Sequence, residues 1–132
     1  MCHIYTSQYS YRGNNRLDIT VKGNDPIGKL YAPTWDLLMA VKKKRLSLEA
    51  FSHSFYALMR KRYTENPEKF KQILQLDEIV LVCFERPEAG YCHRYIVANI
   101  LCKLGGEYKG ELNIDGTFWG KVDLSKFDEP KK

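Results

Sequence analysis

Cys92-His93-Arg94 sets a thiol, an imidazole and a guanidinium side by side. A thiol at a helix N-terminus beside cationic groups has a lowered pKa, which makes Cys92 a candidate nucleophile. His93 is a candidate proton shuttle or anion donor, and Arg94 offers a planar fork matched to phosphate or carboxylate. Neighbouring helical residues point about 100° apart, so His93 is not automatically the base for Cys92, and Glu85 is a second candidate. Bland readings stand beside these. Cys92 can be a small buried hydrophobe, and Arg94 can pair with Glu85 or Asp18 and fix the loop. A metal site built from Cys83, Cys92, His93 and Glu85 has the wrong spacing for a structural zinc knuckle, so no metal and no cofactor is expected.

The stretch that must position these groups runs from Glu78 to Leu104. Glu78-Ile79-Val80-Leu81-Val82-Cys83-Phe84 is a short, β-branched apolar run, the pattern of a strand buried on both faces. Pro87 and Gly90 mark a loop. Ile96, Val97, Ile100, Leu101 and Leu104 then share one helical face, and Gly105-Gly106 ends the helix. A strand that feeds a loop into a helix N-terminus is a common ligand crevice in α/β proteins, because free N–H groups and the positive dipole end face whatever binds there.

Other segments bring polar groups that could line such a crevice. His3-Ile4-Tyr5-Thr6-Ser7 reads as a first strand ending in Thr6 and Ser7. Arg12 lies in the loop that follows, with Tyr11 beside it. Leu17 to Lys22 alternates apolar and polar residues, predicting a strand with Leu17, Ile19 and Val21 inward and Asp18, Thr20 and Lys22 on the other face. Ala32-Pro33-Thr34-Trp35-Asp36 reads as a helix start with Pro in the first turn. Trp35, Tyr11 and Tyr91 are candidate stacking surfaces. Ser47 is placed to cap a second helix with an apolar stripe at Leu48, Phe51, Phe55, Leu58 and Met59, and Asn66-Pro67 to open a third. Residues 107–114 suggest a further short strand with a turn, residues 118–124 an edge strand or a packed tail, and residues 126–132 a polar tail that frays.

Composition narrows the class. At 132 residues the chain suits one α/β domain over residues 1–125, with the tail at 126–132. No apolar run approaches membrane-spanning length and no leader is evident, which points to a cytoplasmic location with reduced thiols. The net charge of +5 is concentrated in the first half, where Lys42-Lys43-Lys44-Arg45 supplies much of the excess. That run fits a solvated helix end better than a nucleic-acid patch.

These motifs carry a resemblance. Tyr5-Thr6-Ser7, Leu17 to Lys22, Ala32 to Trp35, Leu81-Val82-Cys83-Phe84-Glu85 with Tyr91-Cys92-His93-Arg94, and Tyr108-Lys109-Gly110-Glu111 together resemble the domain-of-unknown-function family 488 over about residues 4–111. The resemblance implies an α/β fold of bacterial or phage origin, with a site at the Cys-His-Arg helix start. It names no activity. Some members carry a second cysteine where this chain has Glu85, which argues against a paired-thiol site here.

The expectation is therefore a single-domain, Rossmann-like α/β protein, with a mostly parallel sheet flanked by helices. It would bind a small anionic ligand, such as a nucleotide or nucleotide-derived metabolite, through Thr6, Ser7, Arg12, Asp18, Thr20, Lys22, Trp35, Glu85, His93 and Arg94. The alternative is a hydrolase or transferase that uses Cys92 and His93 on such a ligand. Nucleic-acid binding through Lys42–Arg45 is a third reading.

Overall fold

The computed structural model describes residues 1–83 and 93–130. Five strands form one sheet in the order β2-β3-β1-β4-β5. They are β1 (His3–Gln8), β2 (Arg16–Asp18), β3 (Glu78–Cys83), β4 (Glu107–Leu112) and β5 (Phe118–Gly120). β1 lies at the centre, parallel to β3 and β4; β2 is parallel to β3, and β5 alone runs antiparallel, against β4. The four helices are α1 (Trp35–Lys42), α2 (Leu48–Glu65), α3 (Pro67–Leu74) and α4 (His93–Lys103). The first three connect β2 to β3, and α4 carries the chain from β3 to β4. This is an α/β fold with a mostly parallel sheet.

Strand alternation divides the core in two. Ile79, Leu81 and Cys83 of β3 and Ile4 of β1 join buried residues of all four helices in the main cluster. Val80 and Val82 point the other way and pack with Tyr11, Tyr5 and Leu112. Among the described residues that second face is covered by the loop after β1 rather than by a helix. Both faces are dry, and Val80, Leu81, Val82 and Cys83 are each fully buried, as their continuous apolar run requires.

Helix α4 is buried almost all round. The spacing of its apolar residues predicts one inward face, yet Leu104 is 38% exposed while Tyr95 and Ala98 are fully buried. The sheet covers one side of α4. Phe55 against His93, Asn99 bonded to the Tyr56 hydroxyl, and Phe127 against Tyr95 cover the other. Gly105, at φ +119°, closes the helix, with the Gly106 N–H donating to the Leu101 carbonyl.

Several local expectations shift. The strand foreseen over 17–22 is only Arg16–Asp18, because the Asp18 carboxylate takes the Thr20 N–H and turns the chain. Thr34 caps α1, accepting from the Leu37 N–H, so Pro33 sits just before the helix rather than in its first turn. Ser47 caps α2 as foreseen. Pro67 opens α3, but the Asn66 side chain donates back to the Arg62 carbonyl instead of capping forward. Lys42–Arg45 are exposed at the carboxyl end of α1. The tail does not fray as far as residue 129: a 3₁₀ turn at Leu124–Phe127 packs on α4, Asp128 accepts from Asn99, and Arg60 pairs with Glu129.

Candidate functional site

The carboxyl ends of β1, β2, β3 and β4 meet the first turn of α4. This arrangement follows from the topology: four parallel strands point the same way, and α4 begins where β3 leaves off. Thr6, Cys83, His93, Arg94 and Glu111 lie on the helix side of those strand ends, whereas Ser7 and Asp18, in register with Val82, stand on the other side, with Thr20 bonded to Asp18.

Arg94 is fully buried, and its charge is matched by Glu111, 2% exposed, with Nη2 3.1 Å from Oε2. Nε donates to Oε1 at 3.4 Å, Nη1 to the Cys83 sulfur at 3.1 Å and Nη2 to the Tyr95 hydroxyl at 3.0 Å. Tyr95 donates in turn to Glu111 Oε1 at 3.1 Å. The sequence offers Glu85 or Asp18 as the structural partner for Arg94, but Asp18 bonds elsewhere and Glu85 lies outside the described residues. Among the described residues the charged partner is Glu111, brought in from β4. Burial holds the Tyr95 phenol far above its ordinary pKa, against the pull of the Arg94 charge, and Glu111 raises it further. Tyr95 therefore stays a neutral donor.

The neighbouring polar groups are likewise engaged. Thr6 Oγ1 and the Tyr108 hydroxyl lie 2.8 Å apart, and burial pushes Tyr108 up to about 12 although the Thr6 bond favours its ionised form. The Ser7 hydroxyl donates to the Leu112 carbonyl at 2.8 Å. Asp18 Oδ1 takes both the Thr20 N–H, at 2.9 Å, and the Thr20 hydroxyl, at 2.6 Å. His93 Nε2 sits 2.6 Å from the Ile19 carbonyl oxygen, so it is the protonated nitrogen and ties α4 to the end of β2.

The remaining sequence candidates divide between surface and undescribed chain. Arg12 and Lys22 are exposed, and Lys22 Nζ stands 5.5 Å from the centre of the Trp35 ring, itself 48% exposed. Tyr11 is buried under its loop and donates to Asn15. Cys92, Glu85 and Tyr91 lie outside the described residues. Cys83 is disulfide-bonded, its partner also outside them, whereas Cys2 and Cys102 are free thiols. The expectation of reduced thiols thus fails at Cys83. Among the described residues no group of three His, Cys, Asp or Glu side chains could hold a metal ion, and no helix is long and apolar enough to cross a membrane.

Glu111, Tyr95 and Tyr108 are the members of this network that reasoning from residue chemistry misses. The signal available was a carboxylate inside the strand pattern of 107–112, an expensive residue to bury without a cation.

A family model described as the active DUF488-N3 subclade, DUF488-N3a, matches residues 2–105. The chain belongs to the DUF488 family. The match takes in every element from β1 to the end of α4, and so covers Arg94 but stops short of Glu111. This DUF488 chain matches no curated protein and no solved structure.

Proposed function

We propose that this DUF488 protein binds a small anionic ligand of nucleotide type at the carboxyl ends of its parallel strands, in a Rossmann-like manner. The observation that carries the proposal is the position of His93 and Arg94 in the first turn of α4, beside the carboxyl ends of the parallel strands that also bear Ser7 and Asp18. At that position in an open α/β sheet, backbone N–H groups and the helix dipole favour an anion. The Arg94–Glu111–Tyr95 lattice and the His93–Ile19 bond then act as a frame that fixes the helix start. Contacts to the ligand come from that first turn and from the exposed cations Arg12 and Lys22, with Trp35 as the surface on which a base stacks.

Calorimetric titration with a panel of nucleoside mono-, di- and triphosphates tests this. Binding of one class is expected, weakened about tenfold, or about 1.4 kcal/mol, in Lys22→Ala and in Trp35→Ala. No heat with any nucleotide, or heat unchanged by both substitutions, overturns it.

A second reading is turnover of the same ligand by a hydrolase or transferase. The description of the matching subclade as active favours it. Chromatography of the titrated nucleotides after incubation separates the two readings, since a pure binder returns them intact.

A further inference from the structure

Asp18 is a carboxylate satisfied on one side only. It is 6% exposed, and no ion pair joins it among the described residues. Its hydrogen bonds there all fall on one oxygen, Oδ1, which takes the Thr20 N–H at 2.9 Å and the Thr20 hydroxyl at 2.6 Å. Oδ2 takes none. The other buried carboxylate, Glu111, has both oxygens bonded. A carboxylate oxygen withdrawn from bulk water calls for a donor. Glycine keeps this one uncrowded: the Gly23 N–H closes a turn on the Thr20 carbonyl, and a Cβ at Gly23 would come 2.5 Å from Oδ2. The same turn carries Lys22, whose Nζ stands 5.5 Å from the centre of the Trp35 ring. Just before the turn, the Ile19 carbonyl takes His93 Nε2. Residues 18–22 therefore connect the first turn of α4 to Trp35.

We infer that Asp18 Oδ2 accepts a hydrogen bond from a sugar hydroxyl of the ligand, so that the protein distinguishes ribonucleotides from their deoxy forms. This rests on the nucleotide-binding proposal above and adds which part of the nucleotide faces Asp18. A carboxylate is an acceptor only and repels a phosphate, so the phosphate end lies toward the start of α4. The base lies toward Trp35. The sugar joins those two ends, and its hydroxyls are neutral donors. Carboxylates near the strand ends of other open α/β sheets take ribose hydroxyls in the same way.

Calorimetric titration of the full chain with each ribonucleotide of the panel, beside its 2′-deoxy and 3′-deoxy forms, tests this. The ribonucleotide that binds is expected to do so about tenfold or more tightly than at least one of its deoxy forms, because the missing hydroxyl leaves a buried oxygen bare. Asp18→Asn keeps one oxygen for Thr20 but sets an NH₂ group in place of the second, and should abolish that preference. Gly23→Ala, which crowds Oδ2 and leaves the charge in place, should abolish it too, and serves if Asp18→Asn fails to fold. Equal affinity for all three sugars overturns the inference while nucleotide binding stands. So does a preference that survives either folded variant. Absence of binding by every nucleotide overturns the proposal beneath it, and the inference falls with it.

Discussion

Glu111 of β4 and Arg94 of α4 are each almost completely withdrawn from water, with the charge of each answered by the other, Nη2 to Oε2 at 3.1 Å. Removing two charges from solvent costs several kcal/mol each, and a single good partner does little more than offset that cost. What holds the arrangement is its saturation. The guanidinium also reaches Cys83 and Tyr95, and the second carboxylate oxygen takes the Tyr95 hydroxyl.

Breaking the pair from one side should therefore cost far more than removing it whole. Glu111→Ala removes the carboxylate that answers a buried guanidinium, and a loss of about 3–5 kcal/mol is expected. Arg94→Met with Glu111→Leu should recover most of that loss. Urea unfolding of the two variants beside the unmodified chain measures the difference; equal destabilisation of both would contradict this account.

The same network depends on a backbone irregularity in β4. Gly110 has φ +142°, and a Cβ there would come 2.9 Å from the Gly120 carbonyl oxygen and 2.5 Å from the Phe118 ring. Gly110→Ala should thus combine strain with a clash, at about 2–3 kcal/mol. Because the neighbour is Glu111, the loss should shrink in a background that already lacks the ion pair. A double-mutant cycle reads that coupling.

Alkaline pH should find a weakness in the buried phenols. Burial raises Tyr108 to about 12, and raises Tyr95 and Tyr31 still higher. A phenol whose folded pKa exceeds its unfolded value of about 10 contributes stability that is intact below pH ~10 and is lost as pH rises toward the folded value. Unfolding is expected to set in between those limits. Tyrosinate absorbance should show the exposed rings ionising first and the buried ones only as the circular dichroism signal collapses. Smooth titration of all nine tyrosines without unfolding would refute it.

Arg62 holds the segment before α1 in place. Its Nη1 donates to the carbonyl oxygens of Lys29 at 3.1 Å and Leu30 at 2.8 Å, and also to that of Ala32. These carbonyls lie at and just after the end of the Gly28–Tyr31 turn, and that of Lys29 also takes the Ala32 N–H. Arg62→Ala should cost about 1–2 kcal/mol, since the donor is charged but only partly buried. Arg62→Lys should recover part of this, because its ammonium keeps the charge but ends short of the position that Nη1 holds. Thermal melts of the two variants provide the check.

The sequence by itself determined the elements whose signals are local. The apolar run at 78–83, the Ser47 cap, Pro67 at a helix start and the glycine pair after α4 each act within a few residues, so reading them needs no knowledge of the fold. The same holds for gathering polar residues at strand ends, because the strand-loop-helix order already implies a carboxyl edge. Where Asp18 sits was readable, but its turn was not, since alternation over 17–22 looks identical whether the carboxylate faces solvent or bonds to Thr20.

Only the tertiary structure decided who partners Arg94. Ile4 pairs with Tyr108 and Thr6 with Glu111, so one residue too many stands between the two β4 positions, and Lys109 is the extra one. Without that bulge, strict alternation would turn Glu111 away from the face that Tyr108 shares with Ile4 and Thr6. One inserted residue, permitted by a glycine at positive φ, brings the carboxylate to the buried arginine. Register between distant strands comes from packing across the whole sheet, and no local pattern in 107–112 encodes it.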